Sequence, residues 1–284
     1  MAYWHDIYRF RDSIEHEFKY AGKYGAKGEK REKKKKATPE QIARQNQQNR
    51  ENRTRRTIKL NFEEKDLWCC FKYPEGTRPS VQTVKNDKRE LLKILRQQYK
   101  SRGYPLKYYS RMEVGKEGGV HFHILLNRMW TEQTDVIITE AWDMALRKSF
   151  DSRGKPLKRT DGLVDWTTTY DYGGYQKLAN YIVKRPQEGT EEYDQLTLFD
   201  DSDQRELLSI SSSKNLIRPE PERHTYSHWT MRTIVDKGPK PEKGYYIDQD
   251  SFYIGVNPYT GMSYMKYTEF KIPEKRNRGN PEGG

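Results

Sequence analysis

The run Val120-His-Phe-His-Ile-Leu-Leu126 alternates polar and apolar side chains, the pattern of a strand with one buried face. Val120, Phe122, Ile124 and Leu126 then point into a core, and His121 and His123 stand one pleat apart on the other face. The preceding run, Lys107 to Val114, alternates in the same way and gathers Tyr109, Arg111 and Glu113 on one face. Lys116, Gly118 and Gly119 suit a tight connection between two antiparallel strands. A hairpin built this way brings Glu113 within reach of both imidazoles. Two histidines and one carboxylate can hold a divalent ion and leave coordination positions open, as a catalytic site requires. The bland alternative is a pair of half-exposed strand histidines with no ligand.

Only 33% of the chain is hydrophobic and 33% is charged, so the core is expected to be much smaller than the 284 residues. The net charge is +12, and residues 1–60 carry 17 basic against 8 acidic side chains. Such asymmetry points to a polyanion, most simply nucleic acid. The 21 tyrosines can stack on bases as well as pack in a core. Cys69 and Cys70 are adjacent and face opposite ways on a strand, which implies neither a disulfide framework nor a zinc site and fits the reducing cytoplasm. No apolar run approaches the length of a membrane span and no signal-peptide core is present, so a cytoplasmic location is expected.

Read in order, residues 1–56 form a basic arm ending in a polar helix, 57–235 a globular domain, and 236–284 a Tyr-rich hairpin with a disordered tail from Pro273. Residues 1–37 read as flexible, with the run Lys33 to Lys36 near their end. Thr38-Pro39-Glu40-Gln41 starts a helix with a capping box. The helix has no apolar stripe, and its Arg44, Arg50, Arg53, Arg55 and Arg56 suit a phosphate backbone. Strands are expected at Thr57 to Phe62, Leu67 to Tyr73 and Leu163 to Tyr170. Helices are expected at 86–100, started by Asn86 and Asp87, and after a Thr131 cap. This order predicts an α+β domain, a central antiparallel sheet with helices packed on one face and the other face free for a site. Residues 188–206, with 8 acidic side chains, read as a mobile loop.

A third helix, Tyr175 to Lys184, places Lys177, Tyr181 and Lys184 on one face, with Arg111 and Lys177 as further DNA contacts. A phenol beside a cation and a metal-bound phosphate is a sensible nucleophile for phosphoryl transfer. The alternative is a packed tyrosine and a solvated lysine.

Together, His121-Phe122-His123 and Tyr181-Ile182-Val183-Lys184 resemble the HUH endonucleases. More closely, they resemble rolling-circle replication initiators of bacterial plasmids, phages and integrative elements. Ile58 to Phe62 resembles their first motif, and Ser211 to Leu216 a segment after the nucleophile helix. The resemblance implies a Mn²⁺ or Mg²⁺ ion held by His121, His123 and Glu113. Tyr181 would be the nucleophile, giving a 5′-phosphotyrosine and a free 3′-OH on single-stranded or extruded origin DNA, with Lys184 neutralising or orienting. Tyr175, six residues before Tyr181, falls on a different face, so a single nucleophile is expected; Tyr172 and Tyr175 remain outside candidates. A transposase of the same superfamily is the near alternative, and a non-catalytic DNA-binding protein or repressor the distant one. A conjugative relaxase fits less well, because it would show three histidines.

Gln195-Leu196-Thr197-Leu198-Phe199 resembles the peptide by which bacterial replication proteins dock on the sliding clamp, with Gln195, Leu196, Leu198 and Phe199 as its contacts. These residues could instead tuck back onto the sheet. No phosphate-binding GxxxxGK[ST] loop occurs, so unwinding would need a host helicase.

Overall fold

The computed structural model describes residues 3–22, 37–74, 76–115, 118–147, 164–169, 174–256 and 262–273. In chain order the elements are β1 (Tyr3–Arg9), β2 (Ser13–Tyr20), α1 (Pro39–Asn61), β3 (Leu67–Phe71), α2 (Val81–Ser101), β4 (Tyr108–Val114) and β5 (Val120–Leu126). There follow α3 (Thr134–Leu146), β6 (Val164–Thr168), α4 (Gln176–Val183), α5 (Glu191–Thr197), α6 (Asp201–Leu207), β7 (Ile210–Ser212), β8 (Glu222–Tyr226) and α7 (His228–Lys237). Strands β9 (Tyr245–Ile247), β10 (Tyr253–Val256) and β11 (Ser263–Lys271) close the chain. They group into two compact units: Ala43–Arg218, and Met1–Ile42 with Pro219–Gly284.

The first unit is α+β, as expected. Its sheet has the order β6-β3-β5-β4-β7 with every pair antiparallel. One face is core. Cys69, Phe71, Met112, Phe122 and Ile124 meet the stripes Leu91, Leu95, Tyr99 of α2 and Ile138, Trp142, Ala145 of α3. Trp142 is 1% exposed and packs edge-on against Phe71 and Phe122, so truncating it to alanine removes roughly 3–5 kcal/mol. The opposite face is not bare. Ile58 and Phe62 from the end of α1, and Tyr175, Ala179, Ile182 and Val183 of the α4 region, form a smaller cluster there with Tyr109 and Leu125. Helix α4 therefore lies on the face that carries the histidines.

Several boundaries differ from expectation for identifiable reasons. Thr57 to Phe62 is the end of α1 and not a strand: nothing interrupts the helix after Pro39, and Ile58 and Phe62, four apart, bury one helical face. Helix α2 begins at Val81, because Ser80 accepts a hydrogen bond from the Thr83 N–H; Asn86 and Asp87 lie inside the helix. Thr134, not Thr131, ties down the start of α3: its hydroxyl accepts from the Met129 N–H and donates to the Met129 carbonyl. The acidic stretch folds into α5 and α6. Thr190 and Asp200 cap them, and Glu191, Glu192, Asp201 and Asp203 sit at the N-terminal turns where the helix dipole favours negative charge.

The second unit corrects the reading of the N-terminus as a flexible arm. Residues 3–9 and 13–20 are paired strands of a sheet ordered β10-β11-β2-β1-β8, with β9 also on β11. Tyr3, Phe18, Met265 and Tyr267 pack with Met231 of α7. The expected C-terminal hairpin forms as β10 and β11, and β11 continues onto β2. Lys33 to Lys36, Tyr172 and the tail from 274 lie outside the described residues.

Candidate active site

The hairpin β4–β5 sets the site. Its tip needs a left-handed residue, supplied by Gly118 at φ 78°, and the Gly115 N–H donates to the Gly119 carbonyl at 2.8 Å. In the resulting register Glu113 is directly opposite His121, and Arg111 opposite His123. Residues opposite one another share a face. Strand β3 adds Cys70 opposite His123 and Trp68 opposite Leu125. The Trp68 ring lies parallel to His123 with centroids 5.2 Å apart and fixes the plane of that imidazole.

Helix α4 delivers Tyr181 to the same point. Its hydroxyl donates to Glu113 Oε2 at 2.5 Å and lies 3.2 Å from His123 Nε2. Glu113 Oε2 is 3.1 Å from His123 Nε2 and 3.9 Å from His121 Nε2. The three donors thus meet at one point, with separations bracketing the ~3 Å edge of an octahedron with 2.0–2.1 Å bonds. Their chemistry, two imidazoles and a carboxylate with a neighbouring oxygen nucleophile, fits a divalent cation with open positions. Burial opposes ionisation of Glu113, but hydrogen bonds from His123 and Tyr181 and the Arg111 charge prevail and hold its pKa down to about 2. Burial and the same carboxylate push the Tyr181 phenol above its ordinary value, so it is a hydrogen-bond donor here. Burial, then His123, lower the His121 pKa, which favours the neutral, ligating form.

Arg111 reaches across from β4 and donates to the Tyr181 main-chain carbonyl, with its guanidinium 5.6 Å from the tyrosine ring. It is 6% exposed, so it positions the end of α4 and is not presented to a passing phosphate. Lys184 caps α4 and pairs with Glu192 Oε1 at 2.6 Å, both half-exposed.

Two grooves meet at the phenol. One, of about 750 Å³, runs between the histidines and the start of α5. The other, of about 1250 Å³, lies between α1 and α4 and presents Arg44, Arg50, Lys177, Lys184 and Arg185 against a single acid, Glu51. Tyr181, Lys184, Arg185 and Gln187 line both. Arg53 is exposed on α1 outside this groove. Arg55 packs toward the backbone of Gly174, and Arg56 is buried, so neither matches the expected phosphate contact. Tyr175 is 4% exposed at φ 61°, inside the smaller cluster, and is no alternative nucleophile.

In the clamp-like segment, Leu196 is buried in the main core and Phe199 packs against it, which leaves Leu198 as its exposed apolar side chain. Gln195 lines the histidine groove and approaches the hairpin tip at Gly118. Cys70 was missed in the sequence. Its sulfur and the ring nitrogens of His121 and His123 lie within 4.8 Å of one another. Burial pushes its pKa up to about 11, so it is present as a thiol.

Residues 66–186 match the family of the replication-associated protein ORF2. The matched segment runs from the start of β3 past the end of α4 and contains Glu113, His121, His123, Tyr181 and Lys184. It bears out the resemblance seen in the sequence, and it makes this part of the chain replication-associated. No curated protein and no solved structure matches the chain. Among the described residues, no helix is long and apolar enough to cross a membrane.

Proposed function

We propose that the first unit is a site-specific nicking and joining enzyme for single-stranded DNA that initiates rolling-circle replication. The observation that carries this reading is the meeting of the Tyr181 hydroxyl with Glu113 and His123, at 2.5 and 3.2 Å, beside His121. Four side chains from a hairpin and a separate helix share one phosphate-sized space, which packing alone does not require.

His121, His123 and Glu113 would hold Mn²⁺ or Mg²⁺, which when bound polarises the scissile phosphate and stabilises charge on its oxygens. Tyr181 Oη forms a bond to phosphorus as the bond to the 3′ oxygen breaks. The phenolic proton is lost and the departing 3′ oxygen gains one. The products are a 5′-phosphotyrosine and a 3′-OH that can prime synthesis, and the reverse transfer joins strands. In the metal-free protein Glu113 holds the phenol in place by accepting its proton's hydrogen bond. Arg111 fixes the helix end that carries it. The groove with Arg44, Arg50 and Lys177 supplies an electrostatic track for a single strand leading to the phenol. Single-stranded substrate is favoured because Tyr181 sits at a concave junction that a regular duplex does not enter.

Incubation of the chain with a single-stranded origin oligonucleotide and Mn²⁺ tests the reading. Nicking with a protein–DNA adduct is expected, and Tyr181→Phe should abolish the adduct and lower cleavage at least about 10³-fold. Persistent adducts on the variant would exclude the assignment.

A further inference from the structure

The second unit carries a cluster of imidazoles that the proposed chemistry does not use. His224, His5 and His16 stand on one face of the adjacent strands β8, β1 and β2, because His5 pairs with His224 on one side and with Phe18, two residues from His16, on the other. Three of the six histidines thus line one cavity of about 610 Å³. His5 and His16 are 6% and 4% exposed. His5 Nε2 lies 2.8 Å from His16 Nδ1, so these two nitrogens share a proton.

Each far nitrogen faces an orienting group. His5 Nδ1 is 3.3 Å from the Tyr226 hydroxyl. His16 Nε2 is 3.4 Å from Oε1 of Glu269, a carboxylate with no solvent exposure. Neither of these last two atoms has a hydrogen-bond partner among the described residues. A buried unpaired donor or acceptor costs about 1–3 kcal/mol, so the arrangement asks for an explanation beyond packing.

We propose that His5 and His16 bind a transition-metal ion of the imidazole-preferring class, with His224 as a third donor from the cavity rim. Two nitrogens bound to one tetrahedral ion at 2.0–2.1 Å stand about 3.3 Å apart, so the observed pair must open by only about half an ångström. An ion on His16 Nδ1 fixes that ring's proton on Nε2, where it faces Glu269. This is the carboxylate–histidine–metal arrangement that orients ligands and strengthens them as donors. An ion on His5 Nε2 likewise leaves Nδ1–H for the Tyr226 oxygen. Burial lowers the pKa of both imidazoles to about 4, which keeps them neutral and able to ligate at neutral pH. Around the cavity, Arg9, Lys237 and Lys240 are balanced by Glu222, Glu242 and Glu269, and Arg9 is engaged by Glu242 at 2.8 Å, so the surroundings neither repel a cation nor trap an anion. This inference is independent of the nicking activity proposed for the first unit.

The test uses the full chain carrying His121→Ala and His123→Ala, which removes the other imidazole pair. After equilibrium dialysis against Zn²⁺, about one equivalent should remain, and Co²⁺ should give the visible absorption of a tetrahedral nitrogen-bound ion. Adding His5→Gln and His16→Gln should remove that equivalent. Tyr226→Phe, which leaves the two ligands in place, should weaken binding roughly tenfold and so decides the matter if the double histidine variant does not fold. A folded His121→Ala/His123→Ala chain that retains no Zn²⁺ would mean that the cluster is a hydrogen-bonded core only. Zn²⁺ retained unchanged after loss of His5 and His16 would overturn the assignment equally.

Discussion

Both units place two imidazoles on one face of an antiparallel sheet, yet the pairs are built for different ends. His121 and His123 lie on one strand, one pleat apart, with a carboxylate opposite and a phenol swung in on a helix. Solvent-filled grooves reach them from two sides. His5 and His16 lie on neighbouring strands within hydrogen-bond distance of each other, and their far nitrogens face Tyr226 and Glu269. The donor atoms are the same. What differs is access and the presence of a nucleophile, and these decide whether an ion would act on a substrate or only be held.

That contrast can be broken most severely at Glu113. Glu113→Gln removes the charged donor and the acceptor that holds the phenol, and should lower nicking on the order of 10²-fold. A mere packing role for the His121 pair would leave the rate within a few-fold of the parent. Arg111→Lys keeps the charge but not the reach to the Tyr181 carbonyl. It should lower kcat about tenfold with KM for the oligonucleotide unchanged, which single-turnover kinetics would separate from weaker binding. Arg44→Ala, Arg50→Ala and Lys177→Ala should act on binding instead. Each should reduce the slope of log affinity against log salt for a single strand by about 0.7 and leave kcat unaltered. An unchanged slope would mean that the α1–α4 groove is not the track.

The smallest effect belongs to neither pair and sets the background for pH studies. Asp66 accepts hydrogen bonds from the Glu63 and Arg128 N–H groups, but its burial raises its pKa to about 6. Because the folded value lies above the unfolded one, near 3.8, this carboxyl favours the folded state fully below pH 3.8. That stabilisation, about 3 kcal/mol at most, is lost as the pH rises through 6. Thermal unfolding of the first unit followed from pH 4 to 7 should show this decline, and Asp66→Asn should flatten it.

The site was largely legible because its hairpin is local. Alternation fixes the faces of Arg111, Glu113, His121 and His123, and Gly118 fixes the turn, so the register follows from a few adjacent residues. Lys177, Tyr181 and Lys184 were legible from helical spacing, but their meeting with the histidines depends on α4 lying on that sheet face, which only Ile182 and Ala179 packing on Leu125 decides. Cys70 was not legible, since its neighbourhood is set by the β3–β5 register between distant segments. The strands β1 and β2 were hidden by their outward residues: Asp6, Glu15, Glu17 and Lys19 make the stretch read as charged, although Tyr3, His5 and Ile7 alternate with them on the buried side. Ile58 and Phe62 serve strand and helix patterns equally, and the uninterrupted helix before them decides.

The most direct test of the account is to digest the adduct formed on a nicked single-stranded origin oligonucleotide in Mn²⁺ and to sequence the attached peptide. The account predicts one modified residue, Tyr181, joined through its phenolic oxygen to a 5′ phosphate. Attachment at any other residue, or nicking with no attached peptide at all, would contradict it.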